Sequence, residues 1–101
     1  MKRVLISGGS RGIGRALVEA FAAHGYAVAF LYRSRDTEAA EVAAATGALA
    51  LKADISDPEA VRSALANAEA ALGGSIDVLV DGYAEQSAEE VLLITHKVKL
   101  N

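Results

Sequence analysis

Residues 4–14, Val4-Leu5-Ile6-Ser7-Gly8-Gly9-Ser10-Arg11-Gly12-Ile13-Gly14, decide how the rest of the chain is read. A short apolar run leads into a glycine-rich turn, and the turn leads into a helical pattern. Glycines at 8, 12 and 14 permit positive φ in a tight turn. They also let backbone N–H groups approach a ligand with no Cβ in the way, and let a helix pack close to the strand. The helix that follows aims the positive end of its dipole into the turn. The stretch therefore predicts an anion cradle, and a pyrophosphate is the guest it suits.

Outward from this stretch, apolar runs alternate with helical periodicity, which predicts an α/β fold: a parallel sheet with crossover helices. The first strand covers Arg3 to Ser7 and the first helix Gly12 to about His24, with Ile13, Leu17, Ala20 and Phe21 on one face and Gly25 placed to end it. The second strand, Ala27 to Tyr32, is almost unbroken in apolar character, as expected when both faces are covered. Asp36 is placed to cap a second, alanine-rich helix that stops near Gly47. Ala48 to Ala53 reads as a third strand. Asp57 as N-cap and Pro58 at the first helical position open a third helix. Its inward face is Val61, Ala64, Leu65, Ala68 and Leu72, and Gly73-Gly74 closes it. Ile76 to Val80 is the fourth strand. Right-handed crossovers place the strands in the order 3-2-1-4, with ligand binding at the carboxyl ends where the order reverses.

Composition limits the function classes. The chain has 101 residues, 52% hydrophobic and 23% charged, with a formal net charge of -3. These values suit one globular domain and give no reason to expect nucleic acid or an anionic membrane as partner. There is no cysteine, so disulfides, thiolate catalysis and zinc–thiolate sites are excluded. The apolar run after Met1-Lys2-Arg3 breaks at Gly8-Gly9, too short for a bilayer span. A cytoplasmic protein is the default expectation.

The turn's spacing is Gly-x-x-x-Gly-x-Gly behind a hydroxyl residue, not the commoner Gly-x-Gly-x-x-Gly. In this it resembles the short-chain dehydrogenase/reductase family, whose first turn reads Thr-Gly-x-x-x-Gly-x-Gly, with Ser7 here in place of threonine. The resemblance covers roughly residues 1–80 and extends to the 3-oxoacyl-carrier-protein reductases. It implies the cofactor-binding half of a three-layer Rossmann fold, truncated relative to the full family fold, and a parent activity of NADPH-dependent carbonyl reduction. Two other readings compete. Gly8-Gly9-Ser10-Arg11-Gly12 also fits the Gly-x-Ser-x-Gly nucleophile elbow of a serine hydrolase, with Asp77 or Asp81 and then His96 in hydrolase order. That elbow requires upstream strands and an oxyanion loop, and here the strand comes first. A turn that binds nothing, in an engineered or truncated structural module, is the third.

The cofactor-binding residues expected from pattern and resemblance together are Gly8, Ser10, Arg11, Gly12, Ile13, Gly14, Arg33, Ser34, Asp54 and Ile55. Arg33 and Ser34 follow the second strand, where the adenosine ribose lies in a dinucleotide fold. An acid there would favour NAD. An arginine pairs instead with a 2′-phosphate through its planar fork, and Arg11 would approach it from the other side, so the expected cofactor is NADP(H). By the resemblance, Asp54 accepts from the adenine amino group and Ile55 packs on the ring; Asp54 or Ser56 could instead help cap the third helix.

Asp77-Val78-Leu79-Val80-Asp81-Gly82-Tyr83-Ala84 stands where the family continues Asp-Val-Leu-Val-Asn-Asn-Ala-Gly. The family's catalytic serine and Tyr-x-x-x-Lys pair fall beyond this length, and none of Tyr26, Tyr32 and Tyr83 has a lysine four residues on. No catalytic residue is assigned, and the chain alone is expected to be inactive. A natural truncation, a fragment and an engineered minimal domain all fit. His24 suits a helix C-terminus, and His96 has no partner at metal spacing, so no metal is expected. Residues 81–101 form a divergent tail expected to pack on the 1–80 half. Ser87-Ala88-Glu89-Glu90 is a capping box that favours a helix, while His96 to Leu100 alternates like a strand. An open sheet edge leaves self-association through the fourth strand or the tail as a further expectation.

Overall fold

Unbroken apolar runs become strands where both faces of the sheet are covered. The structure, a computed structural model, describes residues 1–10 and 12–81. β1 (Arg3–Ser7) and β2 (Ala27–Tyr32) lie parallel in the register Val4↔Val28, Leu5↔Ala29 and Ile6↔Phe30. Val4, Ile6, Val28 and Phe30 fill one core cluster, and Leu5, Ala29 and Leu31 fill a second. All seven are buried, so neither strand shows the polar alternation of a half-solvated sheet. β3 (Leu49–Lys52) pairs with β2, and β4 (Val78–Asp81) pairs with β1, both parallel. The order is β3-β2-β1-β4, the α/β arrangement that right-handed crossovers predict.

Helices cover both faces. α1 (Gly12–Ala23) and α2 (Asp36–Thr46) contribute Val18, Ala39 and Val42 to the cluster around Phe30. α3 (Pro58–Leu72) contributes Ala64, Leu65 and Ala68 to the cluster around Leu5. α3 is built as its sequence foretells. The Asp57 side chain accepts from the amides of Glu59 and Ala60, Pro58 occupies the first turn, and Gly73 ends the helix at φ 83°. Val61, Ala64, Leu65 and Ala68 are its buried face, with Leu72 half-buried.

Three expectations are corrected. The buried line of α1 is Gly14 and Val18, flanked by Leu17, Phe21 and Ala22, whereas Ile13 is 64% exposed and Ala20 faces solvent. The helix is rotated from the predicted stripe because Gly14 must lie against the preceding turn. Asp36 does not cap α2: Arg35 holds the cap position with no side-chain bond, and Asp36 lies in the first turn. Its carboxylate is drawn to β3, where Lys52 Nζ stands 3.2 Å from Asp36 Oδ1. The boundaries of β3 and β4 also shift, since ladder pairing begins at Leu49 and Val78 rather than at Ala48 and Ile76. The helix-or-strand expectation for the tail, and the packing of residues 82–101, lie outside the described residues.

Arg3 fastens the amino edge of the sheet. Its Nε donates to the Leu72 carbonyl and its Nη2 to the Gly73 carbonyl, each at 2.9 Å. Its amide donates to Asp77 Oδ2 at 2.8 Å, and the Asp77 amide returns a bond to the Arg3 carbonyl at 2.9 Å. One side chain thus satisfies carbonyls left open at the C-terminus of α3 and sets a positive charge at the negative end of its dipole. We expect Arg3→Ala to lower unfolding free energy by about 1–3 kcal/mol, as charged hydrogen bonds of this kind contribute. Arg3→Lys should recover only part of the loss, because an ammonium lacks the planar fork. Urea denaturation of the three proteins measures this, and an unchanged midpoint in Arg3→Ala contradicts it.

Candidate functional site

The turn between β1 and α1 is pinned from below. The amides of Gly8 and Gly9 both donate to the Leu31 carbonyl of β2, at 2.8 and 3.1 Å. Phe30 forms the floor: a Cβ added to Gly9 would meet the Phe30 side chain at 2.5 Å. α1 closes in from the side, so a Cβ on Gly14 would stand 1.7 Å from the Gly8 carbonyl oxygen. Gly8 and Gly12 carry positive φ, 74° and 61°. These are the conformations the glycines were expected to allow.

Above this floor the described residues leave the turn open at Gly12. A Cβ built on Gly12 would meet no atom of the other described residues within 4 Å. The amides of the first turn of α1 have no intrahelical acceptor, and the positive end of the helix dipole lies with them at this end of the helix. Ser10 is only 7% exposed although polar, and Ile13, at 64%, presents an apolar side chain at the mouth. Backbone donors at the amino end of a helix are suited to an anion. Arg11 lies outside the described residues.

The other expected residues gather along the same carboxyl edge. Arg33 and Ser34 leave β2 exposed to solvent. The Ala53 amide donates to the Tyr32 carbonyl at 2.9 Å, which brings the exit of β3, and so Asp54 and Ile55, beside the exit of β2. Asp54 Oδ1 accepts from the Ser56 hydroxyl at 2.7 Å and from the Ser56 amide at 3.0 Å. These two bonds, the hydroxyl's first, hold its carboxyl below the usual carboxylate range; slight burial opposes them and the Arg33 charge adds to them. Arg33 Nη2 stands 4.0 Å from Asp54 Oδ2. Ile55 is half-buried against the core cluster around Leu31. Neither Asp54 nor Ser56 caps α3, since Asp57 does so with its own side chain.

Other candidates stand elsewhere. Asp77 is bound to Arg3 at the amino end of β1, and four strand steps of about 3.3 Å each separate that end from the turn holding Ser10. Asp81 pairs with Ser7 in the sheet register, and His96 lies outside the described residues. The His24 ring donates from Nδ1 to the Ala20 carbonyl at 2.8 Å, since a carbonyl can only accept. A depression of about 260 Å³ lined by Ala20, Phe21, His24 and Tyr26 lies at the far end of α1. No described residues gather into a group of three metal-ligating side chains, and no described helix is long and apolar enough to cross a membrane. Sequence reasoning did not find Gly9 and Phe30 as a pair. The doubled glycine was the signal for one, but nothing local placed an aromatic ring beneath it.

Comparison with known proteins agrees with this geometry. The short chain dehydrogenase family model matches residues 2–97. A probable galactose dehydrogenase of Rhizobium meliloti is 41% identical over 99 residues, covering 93% of this chain and 38% of that protein. An acetoacetyl-CoA reductase of Shinella zoogloeoides is 48% identical over 82 residues, covering 80% of this chain and 34% of that protein. Among solved structures, a short chain dehydrogenase of Burkholderia cenocepacia in complex with NADP superposes with a TM-score of 0.87 at 30% identity. It covers 99% of this chain and 50% of that one. The chain therefore spans between about a third and a half of the length of these relatives.

Proposed function

The chain belongs to the short-chain dehydrogenase family, and from that premise we propose that it is an NADP(H)-binding Rossmann module. One observation carries the reading: a glycine turn pinned from below, with Gly12 at φ 61° and no atom of the other described residues within 4 Å of where its Cβ would stand. Gly8, Ser10, Arg11, Gly12, Ile13 and Gly14 hold the diphosphate and the nicotinamide end. Arg33 and Ser34 hold the 2′-phosphate and ribose, and Asp54 and Ile55 the adenine. The bound dinucleotide supplies hydride chemistry, and this chain's residues orient it and shield one of its faces. The parent reaction is reduction of a carbonyl. The chain alone binds the cofactor weakly and reduces nothing, in a cytoplasmic setting and without nucleic acid or membrane as partner. Self-association through β4 or the tail belongs to the same proposal.

Titration calorimetry with NADPH and NADH tests the reading. NADPH is expected to bind more tightly, and Arg33→Ala to weaken NADPH by about tenfold, the worth of one charge-assisted bond, while leaving NADH unchanged. Equal binding of the two cofactors would remove the 2′-phosphate assignment. Carbonyl reduction by the purified chain would contradict its inactivity.

A further inference from the structure

Among the described residues, three cations line the exits of β2 and β3, and each faces an acid. Lys52 Nζ lies 3.2 Å from Asp36 Oδ1, Arg35 Nε 3.9 Å from Glu38 Oε2, and Arg33 Nη2 4.0 Å from Asp54 Oδ2. The Arg33 contact, like that of Arg35, is loose. At that separation it is Coulombic, beyond hydrogen-bond length. Its side chain is also the most exposed of the three, 73% against 52% for Arg35 and 58% for Lys52. Asp54, by contrast, is fixed: two bonds from Ser56 occupy Oδ1 and leave Oδ2 toward Arg33. A fixed carboxylate beside a loosely held guanidinium is a geometry from which the guanidinium can be taken.

Resting on the NADP(H) reading, we propose that Arg33 changes partner on binding. Asp54 holds it in the ligand-free chain, and the 2′-phosphate takes it over when the cofactor arrives. A phosphate offers the guanidinium two oxygens at hydrogen-bond distance, which a carboxylate at 4.0 Å does not. Asp54 is then a specificity-determining residue, acting through Arg33, that restrains affinity for the 2′-phosphate. Ser56 is the positioning residue that keeps Asp54 within reach.

Adenosine 2′,5′-bisphosphate and 5′-AMP differ only in the 2′-phosphate, so the ratio of their dissociation constants reads that contact alone. The ratio is measured by calorimetry on the whole chain and on Asp54→Asn, Arg33→Ala and the double variant. Removing the competing charge should raise the preference for the bisphosphate about threefold in Asp54→Asn, within the worth of an exposed ion pair. The gain should vanish when Arg33 is also replaced. A preference unchanged by Asp54→Asn overturns the exchange. So does a gain that persists without Arg33, which would mean that Asp54 repels the phosphate directly. In both cases a wild-type preference for the bisphosphate that is lost in Arg33→Ala leaves the cofactor reading standing. If the wild-type chain binds neither compound, the cofactor reading falls and the exchange falls with it.

Discussion

Gly14→Ala is expected to destabilise the chain by more than about 3 kcal/mol, the upper end of what overpacking usually costs. The added methyl would stand 1.7 Å from the Gly8 carbonyl oxygen, 2.6 Å from its carbon and 3.1 Å from the Gly9 Cα. All three are backbone atoms, so no rotamer change relieves the contact. The turn cannot retreat either, because Gly8 and Gly9 are both bonded to the Leu31 carbonyl and Gly9 lies on Phe30. α1 would have to lift, and Val18, fully buried in the same core, would lift with it. Alanine's better helix propensity works the other way but returns only about 1 kcal/mol. The clash therefore wins. Small domains retain only about 5–15 kcal/mol in total, so thermal unfolding followed by circular dichroism should show a midpoint lower by more than about 10 °C. An unchanged or raised midpoint would mean that helix and turn are not in contact at this glycine.

That contact also explains where the sequence could and could not be read. The spacing of Gly8, Gly12 and Gly14 told of a turn with close helix approach, and the turn has it. Periodicity alone put Ile13 and Ala20 on the inner face of α1. The close approach at Gly14 rotates the helix, so Ile13 emerges as an exposed aliphatic group at the mouth. A tertiary contact thus overrode a helical stripe that was ambiguous in an alanine-rich segment. Asp36 failed as a cap for a similar reason. Capping is a local preference, and Lys52, on the neighbouring β3, offered its carboxylate a partner that local pattern cannot show. α3 was legible throughout because its cap, proline, apolar face and terminal glycine are all local signals and all agree. Arg3 is the opposite case. Its two carbonyl partners lie 69 and 70 residues away, and nothing near Arg3 in the chain marks it.

Replacing Gly12 separates stability from binding, and the expected effect is small on the first and large on the second. A Cβ at Gly12 meets no atom of the other described residues within 4 Å, so an Asp side chain has room to start. It tolerates the left-handed φ of 61° better than most residues. Its carboxylate at the start of α1 gains about 0.3–1 kcal/mol from the helix dipole. Left-handed strain at this φ costs about 1–2 kcal/mol, which the dipole offsets in part, so thermal stability should fall only modestly. Binding should collapse. A carboxylate about 5 Å from a diphosphate charge, at an effective dielectric near 20, costs about 3 kcal/mol, or roughly 100-fold in affinity. Gly12→Asn is the control, since it has the same shape and no charge, and it should lose only what steric filling of the cradle takes. Chemical-shift titration with NADPH ranks wild type, Asn and Asp in that order of falling affinity. Binding retained in Gly12→Asp, with the fold intact, would mean that the diphosphate does not sit at the amino end of α1.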